Sequence, residues 1–524
     1  MPRHLLLLAF LLLFPLAAGA AQVHGDFNGD GIADLAIGVP NEDVGTVGDA
    51  GAVNVLYGTA TGLSGSNYQI WTQDSPGVED VAEAFDLFGY SLAAGDFNGD
   101  GFDDLAVGVV GEDVAVFQGT AANAGAINVL YGSAAGLTGG SFWHQNSNIR
   151  NTAVDDIVEV GDGFGASLTT GDFNGDGFDD LAVGVPGESV GATANAGAVN
   201  ILYGMPGGLL SDSFAPLISQ FWHQNSSGIA ESAEGGDGFG SSLAAADFGK
   251  DARDDLAIGV PGESVGANTG AGAVHVLYGS ANGVGASGSQ LWHQNSSGIA
   301  DAAELVDGFG ESLAAADFGK SAQADLAIGI PLENVGSVTN AGAVNIIYGT
   351  STGLASAGNQ FWHQNSSGIA NSTAEGDQFG DALAAANFGK TAQADLAISV
   401  PGETVGGAGA GAAHVLYGTS TGLSSSGSQY WHQNSSGVLD AAELLDQFGF
   451  ALSAGNFGKT SHADLAVGVA GESIGAIGAG GAVNVIYGAS TGLASSGNQF
   501  WHQNSSGSPD PAEDGDNFGA ALAP

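Results

Sequence analysis

The stretch from Asp26 to Asp34 places oxygen-bearing side chains at positions 1, 3, 5 and 9: Asp26, Asn28, Asp30 and Asp34. The pattern returns with Asp96, Asn98, Asp100 and Asp104, and again with Asp172, Asn174, Asp176 and Asp180. Calcium takes six to eight hard oxygen ligands, backbone carbonyls among them, and position 7 offers that carbonyl at Ile32, Phe102 and Phe178. Glycines at positions 4 and 6 let the chain curl around an ion. Three carboxylates within nine residues repel one another unless a cation lies between them. The expected cofactor is therefore Ca2+, about one ion in each of the three loops. A helix-loop-helix calcium site carries a glutamate at position 12; its absence points to loops between strands.

Four further copies of the block are altered in a consistent way. Position 3 becomes Gly and position 4 becomes Lys, at Lys250, Lys320, Lys390 and Lys459, which are the only lysines in the chain. Each ammonium is expected to replace the missing cation by bonding Asp255, Asp325, Asp395 or Asp464. The fourth copy keeps Asp247, Asp251 and Asp255 and is left open as a calcium site.

Other reactive patterns carry less. Gly187-Glu188-Ser189-Val190-Gly191 fits the GxSxG pattern, as do the segments around Ser264 and Ser473, but that chemistry needs a strand-turn-helix elbow and a placed histidine. No helical period follows these serines, so no catalytic residue is assigned and an enzyme is not expected. Six histidines follow tryptophans, from His144 to His502. Their repetition, one in each repeat, reads as packing around the tryptophans rather than as a metal centre. The Asp residues two places before each Phe-Gly pair, such as Asp86 and Asp162, read as turn residues.

The elements that must hold these loops repeat seven times. The blocks begin at Asp26, Asp96, Asp172, Asp247, Asp317, Asn387 and Asn456. Each repeat of about 70 residues offers four short segments of alternating apolar residues, exemplified by FGYSLAAGDF, DLAVGVV, GAINVLYG and FWHQN. Leu35, Ile37 and Val39 face one way, and the small Ala36 and Gly38 face the other, where a neighbouring sheet approaches closely. Four strands per repeat suit a propeller blade. The expected fold is an all-β, seven-bladed β-propeller of four-stranded blades, with an open β-solenoid as the rival. The first acidic loop has no Phe-Gly segment before it, and the last Phe-Gly segment has no acidic loop after it. Aligned on the second repeat, Pro524 meets His24, so the two ends are expected to complete one blade and close the ring.

Residues 1–20 read as a secretory signal peptide: an apolar Leu5-to-Leu16 core ends in Ala18-Gly19-Ala20. Residues 21–524 then form the propeller. No later stretch stays apolar long enough to span a bilayer, so membrane insertion is not expected. The chain has no cysteine, and stability must come from packing, metal or closure. Against 56 acidic residues stand 7 basic ones, a net charge of −49, which argues against nucleic acid as a partner.

FG…LAAGDFNGDGFDDLAVGVP…GAVNVLYG resembles the FG-GAP repeat of integrin α-subunit propellers and their bacterial secreted relatives, over the whole mature chain. The resemblance implies a seven-bladed propeller, calcium in the fifteen residues given above for the first three repeats, and adhesion or protein recognition outside the cell. It also implies a ligand face opposite the calcium loops. Integrin α-subunits carry their calcium loops in later blades, and these 524 residues include no counterpart of the stalk domains or membrane helix, so pairing with a β-subunit is not carried over. The expected protein is a secreted or cell-surface monomer with an extracellular protein or glycan ligand. Loops that vary between repeats, Val114 to Asn123, Thr193 to Asn195 and Gly208 to Leu217, are the candidate ligand surface. A lectin-like propeller with one shallow aromatic pocket per blade interface is the alternative.

Overall fold

A computed structural model describes residues 24–116, 119–149, 152–153, 157–209 and 219–524. The signal-peptide reading of residues 1–20 lies outside them. The described residues contain no helix and fold as seven four-stranded antiparallel sheets, arranged as a β-propeller. One blade shows the rule: its strands are Leu313–Ala316, Asp325–Ile330, Ala343–Tyr348 and Ala355–Trp362, hydrogen-bonded in that order. The two middle strands are buried along their whole length, whereas the last is half-buried and exposes its third and fourth residues.

Burial on both faces follows from packing of blade on blade. Leu326, Ile328 and Ile330 join Val274, Val276 and Tyr278 of the preceding blade in one apolar cluster. Ala327, Val344 and Ile346, from the opposite face, join Phe379, Leu396 and Ile398 of the following blade in the next. Seven such clusters, one per junction, replace a single central core. Gly329 is required by close approach: a Cβ there would lie 2.1 Å from the carbonyl oxygen of Gly380 in the neighbouring blade.

The ring is closed. Ala521–Ala523 pairs antiparallel with Leu35–Val39, matching Leu522 with Ile37, and so supplies the first strand of the blade that the N-terminal segment begins. The first strands of the seven blades touch in a circle: Phe88–Gly95 meets Ser167–Gly171, and contact passes blade to blade until Ala521–Ala523 meets Phe88–Gly95 again. No solenoid end is left, and a sheet closed into a ring of blades protects its edges.

Candidate metal loops and the blade junctions

Each acidic loop leads into the second strand of its blade, so all seven gather at one end of the propeller. The loop at Asp26 is held by its own backbone. Asp26 accepts from the amides of Asp30 (3.0 Å) and Gly31 (2.7 Å), and Asp30 accepts from Ile32 (3.0 Å). Asp96 and Asp172 accept from the matching amides in their loops, and Asp100 and Asp176 bond Phe102 and Phe178 as Asp30 bonds Ile32. In each predicted loop the position-1 and position-5 carboxyls therefore hold backbone amides of the same turn, and in the first two the position-3 amide reaches position 9, Asn28 Nδ2 lying 3.2 Å from Asp34. In the third loop Asn174 Oδ1 is buried without a hydrogen-bond partner, an orphan acceptor that suits a hard cation.

Position 9 plays a second role. Asp34 is fully buried, accepting from the Phe27 amide (3.0 Å) and the Gly58 amide (2.8 Å). The same pair of bonds recurs at Asp104 and Asp180, and also in the lysine loops, for example from Phe318 and Gly349 to Asp325. Burial drives Asp34 and Asp104 up to about 8, with neighbouring carboxylates adding to the effect. This aspartate persists where the other acids are lost because it ties the loop to the third strand.

Position 8, unremarked in the sequence, clamps the neighbouring loop. Asp103 Oδ2 accepts from the Gly25 (2.5 Å) and Asp26 (3.1 Å) amides, Asp179 from Asp96 (2.9 Å), and Asp254 from Asp172 (3.1 Å). Each of the three intact acidic loops is therefore braced by an aspartate from the next blade. The lysine loops have no such brace: their neighbours Ala324, Ala394, Ala463 and Ala33 bond through backbone amides only. The aromatic ring of Phe102 also covers Gly29, and that of Phe178 covers Gly99, so position 7 packs as well as offering a carbonyl.

The lysines do not pair with Asp255, Asp325, Asp395 or Asp464 as expected. Each ammonium bonds a glycine carbonyl on the outer strand, Lys250 to Gly288 at 2.8 Å and Lys320, Lys390 and Lys459 to Gly358, Gly427 and Gly497. Each also lies over a tyrosine ring, 3.1 Å from the centroid of Tyr278 and 3.5 Å from those of Tyr348, Tyr417 and Tyr487. The aspartate is already satisfied by backbone amides, and the ammonium acts on it through the field alone. Asp325, Asp395 and Asp464 are raised to about 7 by burial, with the lysine pulling the other way. In the first blade the corresponding space is an open polar cavity of about 510 Å³ lined by Asn28, Asp30, Tyr57 and Asn67. In the fourth repeat Asp251 is paired with Arg253 at 3.1 Å, which sets that loop with the lysine group.

Two inter-blade bonds were not legible in the sequence. The Tyr57 hydroxyl donates to Gln69 and accepts from the Leu137 amide of the next blade at 3.0 Å. The same tyrosine recurs at Tyr203, Tyr278, Tyr348, Tyr417 and Tyr487, the last reaching Leu63 across the closure. At the opposite end, the glutamine after each Trp-x pair donates to a buried glutamate of the next blade. The series runs from Gln73–Glu112 (2.7 Å) and Gln145–Glu188 (2.6 Å) around to Gln503–Glu42. The aspartates read as turn residues do make turns, Asp86 accepting from the Glu83 amide at 2.6 Å, but they are buried beside these glutamates.

Ser189, Ser264 and Ser473 lie in turns after a second strand and lead into a third strand, not a helix. The candidate ligand loops do not share one end. Val114–Val116 pairs with Gly119–Ala121 in a hairpin, and Thr193 bridges Val190, both opposite the acidic loops. Gly208 and Leu209 belong to a connection at the acidic-loop end, and the rest of that segment, with residues 117 and 118, lies outside the described residues.

The FG-GAP repeat family matches residues 18–56, 88–130, 164–202 and 239–277. The chain is 34% identical over 169 residues to the phosphatidylinositol-glycan-specific phospholipase D of Bos taurus, covering 32% of this chain and 18% of that protein. It is 30% identical over 204 residues to integrin alpha-5 of Xenopus laevis, covering 39% of this chain and 17% of that protein. The matched part is thus less than a fifth of either relative's length. Among solved structures, a rhamnogalacturonan lyase PL11 of Bacillus licheniformis aligns at 11% identity with a TM-score of 0.32, covering 81% of this chain and 64% of that one. The chain carries FG-GAP repeats and resembles the integrin α propeller. Among the described residues no helix is long and apolar enough to cross a membrane.

Proposed function

We propose that this chain is a secreted, non-catalytic recognition propeller whose first three acidic loops hold calcium. The observation that carries the reading is the paired construction of those loops: hard oxygen donors at positions 1, 3, 5 and 7, and a bracing aspartate from the next blade only where the donor set is intact. Asp26, Asn28, Asp30, the Ile32 carbonyl and Asp34 are the donors in the first loop, and the aligned residues serve in the second and third. The ion would neutralise the clustered carboxylates and fix the loop. Because it binds only the folded ring, it adds stability by mass action. Affinity in the range of extracellular modules, roughly 0.1–1 mM, is expected.

The ligand surface is assigned to the end away from the calcium loops, where Val114–Asn123 and Thr193–Asn195 differ most between repeats. An extracellular protein is the partner this reading favours, supported by the resemblance to integrin α propellers. Capture from intact cell surfaces with and without chelator tests it: a protein retained in calcium and released by chelator supports the reading, and identical capture by a surface-loop deletion contradicts it.

One observation favours a glycan ligand instead. Open notches recur beside the Trp-His-Gln segments: one of about 330 Å³ lined by Glu231, Ser264, His293 and Asn295, and one of about 410 Å³ lined by Asn371, Tyr430, His432 and Asn434. Several bound equivalents per chain on a glycan array, abolished by Tyr430→Ala with His432→Ala, would assign these notches to sugars.

A further inference from the structure

We propose that the carboxylate clusters at the blade junctions, each of two buried acids and one exposed acid at the end opposite the acidic loops, are a second and independent set of calcium sites. In one junction the carboxylate oxygens of Glu304, Asp307 and Glu333 lie within 4.8 Å of one another. Calcium–oxygen distances are about 2.3–2.6 Å, so oxygens on opposite sides of one ion stand almost that far apart. Equivalent triads centred on Asp162, Asp237 and Asp446 meet the same limit.

The acids alone do not make the case. Gln294, 1% exposed, donates through Nε2 to Glu333 at 2.5 Å, while its buried Oε1 has no hydrogen-bond partner. Asp307, fully buried, likewise keeps Oδ1 unpartnered within the triad. A buried acceptor without a partner is costly, and the orphan glutamine oxygen recurs at all seven junctions, the four with a triad among them. Which end of an amide is oxygen is assigned from its neighbours, and a half-turn of Gln294 presents Oε1 to the carboxylates. A cation among them gives Asp307 Oδ1 a partner and neutralises the clustered charge at once, and the turned Gln294 would add Oε1 to its ligands. With no nitrogen or sulfur donor in the group, the preferred ion is hard.

One junction supplies an internal contrast. There Ala374 replaces the first acid of the triad, and Asn371 bonds the remaining Glu403. Where that first acid is lost, an amide side chain bonds the glutamate instead. These sites share no residue with the acidic loops, and their existence does not depend on those loops binding metal.

The test counts calcium bound by the full chain after stripping with chelator. Since loop and junction sites add in the total, the informative protein carries Asp30→Ala, Asp100→Ala and Asp176→Ala, three exposed positions. Flow dialysis should find about four equivalents remaining, and Glu333→Gln on that background should remove one. Asn371→Asp with Ala374→Glu, made in the unaltered chain, should add one equivalent, which reads out even if the triple variant does not fold. A folded triple variant that binds no calcium overturns the proposal. So does a count unmoved by both Glu333→Gln and the added triad.

Discussion

Gln503 of the last repeat donates its amide to the buried carboxyl of Glu42 in the first, across the junction where the two ends of the chain meet. The bond is the same one that joins interior blades, as between Gln294 and Glu333. Tyr487 bridges the same junction at the other end, accepting from the Leu63 amide at 3.1 Å. The closure is therefore built like every other junction rather than as a seam.

Equivalence of junctions has a measurable consequence. Gln503→Leu and Gln294→Leu each remove the donor to a buried glutamate, and each should cost about 1–3 kcal/mol. Urea unfolding should show equal losses for the two. A silent Gln503→Leu beside a destabilising Gln294→Leu would mean that the ring is not closed in solution.

The tyrosine bridge gives a second prediction. Tyr417→Phe deletes the hydroxyl that bonds Gln429 and receives the Leu493 amide, leaving a buried N–H unpaired. The expected loss is about 1–3 kcal/mol, with the apolar packing of the ring unchanged. A midpoint within error of the parent would remove the bridge from the account.

Lys390→Met tests the lysine loops. The substitution keeps the apolar stem but removes the charge over Tyr417 and the bond to Gly427, for a loss of about 0.5–1 kcal/mol. Removing this cation also pushes the Asp395 carboxyl further upward, so the loss should grow toward alkaline pH. A loss that is independent of pH would show that lysine and aspartate do not sense each other.

Acidity should stabilise the metal-free protein over a defined window. Burial raises Asp325, Asp395 and Asp464 from an ordinary 3.8 to about 7, so the folded chain holds protons that the unfolded chain has released. Their contribution is complete below the ordinary value and is lost as pH rises through about 7. His275 and His414 act the other way. Burial pushes them down to about 4 and about 3, and their contribution is lost as pH falls below the ordinary histidine value near 6.5. In chelator, the thermal midpoint should rise as pH is lowered from about 8 through 7 and go on rising more slowly below about 6.5, where the two histidines oppose the three carboxyls. A midpoint that falls across the upper window contradicts the burial of these carboxyls.

Much of this was readable from the chain because a repeat multiplies weak signals. Leu35, Ile37 and Val39 alternating with Ala36 and Gly38 mark a strand packed on both faces, and seven copies fix the number of blades. The loops at Asp26, Asp96 and Asp172 were visible because their donors are contiguous. What was hidden depends on contacts between blades. Nothing local distinguishes Asp103 from a solvent-facing acid, yet it reaches back 78 residues to the Gly25 amide. The glutamates after each second strand look like turn residues until the neighbouring glutamine is placed. The expected lysine–aspartate pairs fail for a related reason: backbone amides saturate Asp325, and the long Lys320 side chain runs outward to a carbonyl and a ring.

The central claim is that the first three acidic loops hold calcium through their exposed donors. Calcium stoichiometry of three single variants, Asp30→Ala, Asp100→Ala and Asp176→Ala, tests it most directly. Each should bind one equivalent fewer than the parent while keeping the same far-ultraviolet circular dichroism. Three folded variants with the parent's stoichiometry would contradict the assignment.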